Sequence, residues 1–323
     1  MVKLLNAIIV ILALVLIAII IIPQWKENQP VPVRIGCDST VGSTIFIVTQ
    51  EKGFFKNEKV IPEFNYYSDP QAMLDALVQG KLECAITPWA SFLKKVETTS
   101  DSLIVLASGE FRTSIPIDAI VTMANTKTKM KDLKDLKNKR FGYPLQIKEV
   151  IPVILKSIGL KETDIKLFEM SNGDLVQALR DNKIDAALVL EPERTAAINQ
   201  GMALVMEPVL PKLIIAPYPG VAYVIKKDLI KSNPRISYKI KMLLDATVAF
   251  ADANTEESRA MFINFFKLDK DMYGNIFMPQ FQKMIEVNKS NAITMMSKMT
   301  DAGVLSQTFD IQKLFVEPSQ FKK

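Results

Sequence analysis

Hydrophobic and polar residues follow the same order in two stretches of the chain, residues 69–89 and 172–192. Each stretch begins with an amphipathic helical pattern, continues through a helix stop, and ends in a short apolar run. Gly80 and Asn182 occupy the two stops, and these residue types best tolerate the left-handed backbone that follows a helix. At a displacement of 102 positions, identical residues coincide at 76, 77, 81 and 85. The pattern therefore predicts a structural repeat, in which each apolar run is a strand covered on both faces.

The repeat extends upstream to a motif of arginine, an apolar residue and glycine. It occurs as Arg34–Gly36 and again as Arg140–Gly142. After each motif come a helical pattern that ends near a glycine and a further strand, so each unit has the order strand, helix, strand, helix, strand. Parallel strands joined by helices form a doubly wound sheet. The sequence therefore predicts an α/β protein with two similar βαβαβ lobes around a cleft.

The N-terminal region contains an apolar run from Ala7 to Ile22, which is long enough to cross a bilayer. Pro23 ends this run, and Trp25 occupies the place of an interfacial aromatic residue. We expect residues 1–25 to form an uncleaved transmembrane anchor, with a cleaved signal peptide and a lipoprotein signal as the alternatives. The slight charge bias predicts that the N-terminus is inside and that the globular part is outside the membrane.

The pattern after the anchor predicts how the chain passes between the lobes. Residues 26–32 form a polar linker, and the β-rich stretches 117–123 and 220–225 are the predicted crossings. The expected domains are lobe 1, made of residues 33–118 plus 224–323, and lobe 2, made of residues 119–223. A helix is predicted to start at about residue 91, and further helices are predicted at about 234–253, 256–266, 278–288 and 291–302.

Composition and charge exclude several classes of function. The chain of 323 residues has a formal net charge of +5 with its lysines and arginines scattered, so no nucleic acid is expected as a partner. It has no histidine, which removes histidine-dependent nucleophilic catalysis, acid–base catalysis and metal binding. Cys37 and Cys84 are predicted to be free and buried. No metal, cofactor or catalytic residue is predicted.

A ligand site is expected beyond the carboxyl ends of the parallel strands, where open α/β sheets bind their ligands. Short polar or aromatic segments follow the strands there in both predicted lobes, and one aromatic residue lies near the return crossing. The candidate ligand-binding residues are Asp38, Ser39, Thr40, Pro88, Trp89, Tyr143, Gln146, Glu191 and Tyr218.

The main candidates also have structural explanations. Ser39 and Thr40 precede a helix and could serve only as N-caps. Trp89 could pack in a core, although a flat ring at a cleft mouth is typical of small-molecule sites. Glu191 could be a hinge or capping residue. Asp38 argues in part against an anionic ligand, whereas the free amides of the following helix start favour one.

Four segments, taken in order, resemble the NMT1/THI5-like substrate-binding proteins of ABC importers, also called the SsuA/TauA group. They are residues 33–58 (VRIGCDSTVGSTIFIVTQEKGFFKNE), 76–86 (ALVQGKLECAI), 132–144 (DLKDLKNKRFGYP) and 178–192 (ALRDNKIDAALVLEP). This group handles nitrate, sulfonates, taurine and thiamine-pyrimidine precursors. The resemblance spans about half of the chain and implies a type II periplasmic-binding-protein fold, with ligand loops at 38–40, 88–89, 143–146 and 191.

The resemblance also implies a function, that of an extracytoplasmic solute-binding protein of an ABC uptake system. A monomer would close its lobes on a small organic or anionic solute, such as a sulfonate, nitrate or a pyrimidine, and then dock on permease and ATPase subunits. Trp89 and Tyr143 favour a flat organic solute.

Two departures from the family keep other functions open. A retained anchor is unusual in a family that carries a cleaved signal or a lipid anchor, and it favours a membrane-tethered sensory or structural protein as the alternative. A pyrimidine-synthase-like enzyme is the other alternative. The lack of histidine argues against it, because those enzymes depend on an active-site histidine.

Overall fold

The computed structural model of the chain describes residues 29–99, 102–124, 130 and 132–322, together with a few positions between 6 and 17. The predicted anchor at residues 1–25 falls largely outside these described residues. Among the residues that are described, no helix combines the length and the apolar character needed to cross a membrane. The anchor therefore stays a prediction from the sequence.

The strands of the described part form two sheets. In chain order, β1 to β11 are Val31–Cys37, Val60–Tyr66, Cys84–Pro88, Leu103–Phe111, Asp118–Thr122, Arg140–Pro144, Lys166–Met170, Ala186–Leu190, Ala203–Met206, Tyr218–Lys226 and Gln280–Lys283. The first sheet has the order β2-β1-β3-β10-β4-β11, and the second has the order β7-β6-β8-β5-β9. The chain thus passes to the second sheet after β4 and returns to the first after β9.

The two sheets share one plan, which confirms the predicted fold of two similar α/β lobes. In each sheet three consecutive strands, β1–β3 or β6–β8, are parallel, and the first of them lies in the middle. An antiparallel strand, β10 or β5, then pairs with the third one. Both cysteines are free and buried within the first lobe, as predicted.

Helices cover the sheets and extend the C-terminal part. The α-helices in the described residues, α1 to α13, are Thr44–Glu51, Phe54–Asn57, Pro70–Val78, Trp89–Thr99, Ile151–Ser157, Leu175–Arg180, Glu193–Asn199, Leu210–Leu213, Leu229–Ser232, Pro234–Ala253, Thr255–Phe265, Lys270–Tyr273 and Lys289–Asp301. Short 3-10 helices include Val41–Ser43 and Leu145–Val150, each of which follows the first strand of its unit. The last helix, α13, contacts both α4 and α5, so the C-terminal part packs on both lobes.

The same ion pair lies at the start of each unit. The Arg34 Nε donates to Glu83 at 3.1 Å, and the Arg140 Nε donates to Asp185 at 3.2 Å. The backbone N–H of each arginine also donates to its partner carboxylate, at 2.7 and 2.8 Å. Each pair joins the first strand of its lobe to the residue before the third strand, and this is why the repeat motif carries an arginine.

Two expectations from the sequence are corrected by the structure. The helix expected at 278–288 is strand β11 followed by a 3-10 helix, because Phe281 is buried where β11 pairs with the free edge of β4. The helix expected from residue 91 begins at Trp89, directly after β3. The chain enters the second sheet at β5 and returns to the first sheet at β10, and the predicted lobe limits at 118/119 and 223/224 fall within these two strands.

Candidate functional site

A small cavity lies between the lobes, beyond the carboxyl ends of the parallel strands. Its volume is about 20 Å³, which is room for about one water molecule. Residues from both sheets and from both connections between them line it. Six of the nine predicted ligand-binding residues lie on its wall, namely Asp38, Thr40, Pro88, Gln146, Glu191 and Tyr218. The strand-end argument thus located a cavity that both lobes share.

Asp38 follows β1 and is almost fully buried. Its Oδ1 accepts hydrogen bonds from the Thr40 N–H at 2.9 Å, from the Thr40 hydroxyl at 2.7 Å and from the Ser43 hydroxyl at 3.3 Å. None of the described residues donates to its Oδ2. Burial raises the pKa of Asp38, although the bonds from Thr40 and Ser43 act against this rise. Asp38 therefore orders its own loop through Oδ1, whereas its Oδ2 accepts no hydrogen bond from the described residues.

Gln146 lies in the 3-10 helix that follows β6, across the cavity from the first lobe. Its side chain is only 8% exposed. Its amide oxygen is buried and accepts no hydrogen bond from any described residue. Leaving a buried polar atom without a partner costs about 1–3 kcal/mol. The amide oxygen of Gln146 is thus a second acceptor to which a bound molecule could donate a hydrogen bond.

Glu191 follows β8 and lies at the N-terminal end of α7, fully buried. Its Oε1 accepts from the Thr195 hydroxyl at 2.7 Å, from Arg194 Nη1 at 3.1 Å and from the Phe277 N–H at 3.2 Å, and its Oε2 accepts from the Thr195 N–H at 3.1 Å. Burial raises the pKa of Glu191 to about 7, whereas Thr195 and Arg194 lower it. The bonds from Thr195 match the capping role, which was one of the two structural alternatives for this residue, although its side chain also borders the cavity.

Aromatic and apolar side chains form the rest of the wall. The rings of Phe111 and Tyr218 pack against each other with 5.8 Å between their centres. Gly220 makes this possible, because a Cβ at that position would lie 2.3 Å from the Phe111 ring. Burial, with the nearby Asp118 and Glu149 carboxylates, raises the pKa of the Tyr218 hydroxyl. The wall therefore favours an organic body over a fully polar ion.

Three predicted residues lie elsewhere. Ser39 is exposed beside the cavity loop. Trp89 is fully buried in the core of the first lobe, where its indole N–H donates to the Ser108 hydroxyl at 2.8 Å. Because α4 begins at Trp89 without an intervening loop, the ring is directed into the core and away from the cleft mouth. Tyr143 lines a separate open groove of about 680 Å³ between the lobes.

Sequence reasoning did not identify the residues that join the lobes at the groove lined by Tyr143. The Glu149 carboxylate, on the 3-10 helix after β6, accepts from Gln71 Nε2 at 2.9 Å and from the Ser91 hydroxyl at 2.8 Å. Gln71 and Ser91 lie on α3 and α4 of the first lobe. No spacing in the sequence connects these three positions, because they meet only when the lobes pack together.

The described residues hold no group of three or more acidic or cysteine side chains that could bind a metal ion.

A family model described as NMT1/THI5 like matches residues 41–258, which is about two thirds of the chain. Among curated proteins, a protein of Brucella abortus (strain 2308), named as a candidate binding protein, is 22% identical over 260 residues. That match covers 79% of this chain and 77% of the Brucella protein.

Solved structures show the same fold. The periplasmic aliphatic sulphonate binding protein SsuA from Escherichia coli matches with a TM-score of 0.69 and 17% identity, over 91% of this chain and 100% of that chain. The periplasmic nitrate-binding protein NrtA from Synechocystis PCC 6803 matches with a TM-score of 0.68 and 15% identity, over 89% of this chain and 85% of that chain. The ligand binding component of an ABC-type import system from Staphylococcus aureus matches with a TM-score of 0.71 and 15% identity, over 91% of this chain and 98% of that chain.

The family match confirms the resemblance that the sequence motifs indicated. The family and these structural neighbours are substrate-binding proteins rather than enzymes, in agreement with the expected class. The two sheets, with the small cavity at their strand ends, agree with that fold. The chain belongs to the NMT1/THI5-like family and has the two-lobed α/β fold of the periplasmic binding proteins.

Proposed function

We propose that this chain is an extracytoplasmic solute-binding protein of an ABC uptake system, which captures a small solute by closing its two lobes. The observation that carries the proposal is the cavity beyond the carboxyl ends of both sets of parallel strands, because a solute there contacts both lobes at once. The similarity to a Staphylococcus aureus protein named as part of an ABC-type import system supports the transport role.

Hydrogen bonds between the lobes favour the closed form. Glu149 of the second lobe accepts from Gln71 and Ser91 of the first, and Glu191 accepts from the N–H of Phe277 in the C-terminal part. A cavity of about 20 Å³ is too small for an organic solute, so entry requires these contacts to separate. A solute that then touches both lobes shifts the population back toward closure.

The proposed contacts with the solute are the six predicted residues on the cavity wall. Asp38, Thr40 and Pro88 come from the first lobe, Gln146 and Glu191 come from the second, and Tyr218 is the first residue of β10, the strand that returns to the first sheet. Ser39, Trp89 and Tyr143 lie outside the cavity and are not part of the proposal.

The proposal includes the position of the protein in the cell. The predicted anchor at residues 1–25 and the linker at 26–32 would hold lobe 1 (33–118 plus 224–323) and lobe 2 (119–223) at the outer face of the cell membrane. A single-pass monomer would then present its closed lobes to a permease that is driven by ATPase subunits. The periplasmic location of SsuA and NrtA supports the extracytoplasmic placement. No cofactor takes part.

The test combines thermal unfolding with a distance measurement on the full chain in detergent micelles. Nitrate, bicarbonate, sulfonates, pyrimidines and amine-bearing heterocycles are screened for a rise in Tm. A solute at about 100 times its Kd stabilises by about 2.7 kcal/mol, which is a shift of several degrees. Ser39→Ala is the matched control, because Ser39 is exposed beside the cavity loop and should not change the shift.

The distance is measured between spin labels at Thr98→Cys and Lys148→Cys. These positions are exposed on opposite lobes and line the same groove, whereas Cys37 and Cys84 are buried and resist labelling. Burial also raises the pKa of the Cys37 thiol to about 12. A stabilising solute should narrow the distribution of distances between the two spin labels to a single population. A stabilising solute that leaves the distances unchanged would contradict lobe closure, and a panel without any stabilising solute would contradict solute binding.

A further inference from the structure

The end of the first lobe that lies opposite the cavity is strongly basic. Two segments that are far apart in the sequence, 56–59 and 226–239, form it. Together they contain seven lysines and arginines but only two carboxylates, Glu58 and Asp228. The positive excess of these segments is as large as the net charge of +5 of the whole chain. We call the two segments the basic end of the first lobe.

The fold brings the two segments together. Lys239 Nζ lies 3.5 Å from Glu58 Oε2 and also donates to the Glu58 carbonyl. Burial lowers the pKa of Lys239, and the positive charges of Arg235 and Lys59 lower it further, although Glu58 acts against this change. Arg235 and Lys59 therefore lie close enough to repel Lys239, and positive charge is concentrated where the segments meet.

The chain enters the first lobe at this same end. Arg235 Nη2 donates to the carbonyl of Gln29 at 2.5 Å, and the Val31 N–H donates to the carbonyl of Lys59 at 2.9 Å. Ile22, the last residue of the apolar run, is seven positions before Gln29. That separation spans at most about 25 Å even in a fully extended chain. The predicted membrane anchor would therefore hold the basic end close to the bilayer surface.

A surface at the basic end would not cover the cavity. Strand β1 begins at Val31, beside the basic end, and its carboxyl end leads to Asp38 on the cavity wall. The seven residues of β1 separate its two ends by about 20 Å. The first lobe can thus contact a membrane with one end while a solute enters at the other.

We propose that the basic end of the first lobe binds the headgroups of anionic phospholipids in the membrane that holds the anchor. This inference rests on the proposed function, because it requires the anchor at residues 1–25. An anionic membrane surface attracts basic segments that lie directly beside an anchor, and each lysine or arginine near the surface adds to the attraction. The contact would hold the first lobe on the membrane and leave the second lobe able to open and close.

The test uses the full chain in nanodiscs of phosphatidylcholine, either alone or mixed with phosphatidylglycerol. A fluorophore at Ser232→Cys, an exposed position of the basic end, is quenched by nitroxide-labelled headgroups when it approaches the bilayer. We expect stronger quenching with phosphatidylglycerol, and a loss of this difference at high salt, because salt screens charges. A fluorophore at Lys148→Cys, exposed on the second lobe, is the control and should show no difference between the lipids.

Charge reversal tests the basic end directly. Lys227→Glu with Lys231→Glu reverses two cations that do not line the cavity, so the ratio of lipid-bound to unbound lobes should fall at least about 10-fold, which corresponds to about 1.4 kcal/mol. Lys267→Glu with Lys270→Glu is the matched control. It makes the same change of charge at exposed positions at or next to helix α12, which contacts α7 of the second lobe, and it should leave the quenching unchanged.

The outcomes distinguish this inference from the proposed function. Chains that stay in the discs but are quenched equally with and without phosphatidylglycerol would overturn the lipid contact and leave the anchor and solute binding intact. A preference for phosphatidylglycerol that persists after reversal of Lys227 and Lys231 would also overturn it, because the contact would lie elsewhere. Chains that leave the discs would refute the anchor and this inference together, whereas solute binding would still be decided by the shift in Tm.

Discussion

The two lobes agree in their framework and differ where their strands end. Each has three parallel strands in the same order, the same arginine–carboxylate pair, and a glycine two residues after that arginine in its first strand. The guanidinium of Arg34 also donates to the carbonyl of Gly80 at 2.8 Å, and that of Arg140 donates to the carbonyl of Asn182 at 2.6 Å. The repeat is thus carried by residues that fix the strands to one another.

The difference lies in the residue after the third strand. At the displacement of the repeat, Trp89 of the first lobe corresponds to Glu191 of the second, and both are fully buried. Trp89 fills the core of its own lobe, whereas Glu191 binds its own helix, Arg194 and the C-terminal part. Equivalent positions can therefore be equally buried and still have different roles. The residue packs in the core of one lobe, and it forms hydrogen bonds with neighbouring segments in the other.

Trp89→Ala tests the packing side of this contrast and has the largest expected effect. Removing a fully buried indole should lower the free energy of unfolding by about 3–5 kcal/mol, as measured by urea denaturation. Trp89→Phe is the matched control and should cost less, because a phenyl ring leaves a smaller cavity than a methyl group does. In both variants Ser108 keeps its hydrogen bond to Val221, which measures 3.0 Å. A stable Trp89→Ala protein that no longer binds solute would instead support the ligand contact expected from the sequence.

Gly36→Ala and Gly142→Ala test the shared framework. A Cβ at residue 36 would lie 2.7 Å from Leu82 Cδ1, and a Cβ at residue 142 would lie 2.6 Å from Ile184 Cδ1. We expect similar losses of about 1–3 kcal/mol in the two lobes, because each core must shift to admit one methyl group.

The control for both glycine variants is Gly173→Ala, since a Cβ there meets no atom within 4 Å. Its free energy of unfolding should stay close to that of wild type. A large loss in one lobe and none in the other would show that the two cores are less alike than their sheets.

Glu193→Gln tests the polar side of the contrast through pH and has the smallest expected effect. The corresponding residue of the first lobe is the uncharged Ser91. Burial raises the pKa of Glu193 to about 7, and no hydrogen bond or ion pair from the described residues opposes this rise. Between about pH 4.5 and 7 the unfolded chain loses a proton that the folded protein keeps, so stability falls as the pH rises, by at most about 3 kcal/mol.

The pH experiment compares urea denaturation at pH 5 and pH 8. Glu193→Gln should reduce the loss of stability between the two values, whereas Glu51→Gln, at an exposed position, should leave it unchanged. If the loss between pH 5 and pH 8 is the same with and without Glu193, its carboxyl does not titrate in this range and is better solvated than its burial indicates.

The framework was predictable because its signals are local. Hydrophobic periodicity and helix stops located the parallel strands and the helices that connect them. Six of the nine predicted ligand-binding residues lie on the cavity wall, and five of them follow these strand ends, since ligands of open sheets bind there. The helical pattern at 278–288 gave a wrong prediction, because pairing with the free edge of β4 outweighs local helical preference.

The sequence by itself determined the repeat, the two α/β lobes, the family and the absence of histidine chemistry, because each of these depends on residue types and their spacing. Only the tertiary structure decided that the Trp89 ring is buried in the core and that Glu149 joins the lobes. It also decided that the Glu191 carboxylate accepts hydrogen bonds from Thr195, Arg194 and Phe277. These features depend on which side chains, far apart in the chain, meet when the sheets and the C-terminal part pack together. Side-chain direction at a strand end and the satisfaction of buried polar groups are set by that packing.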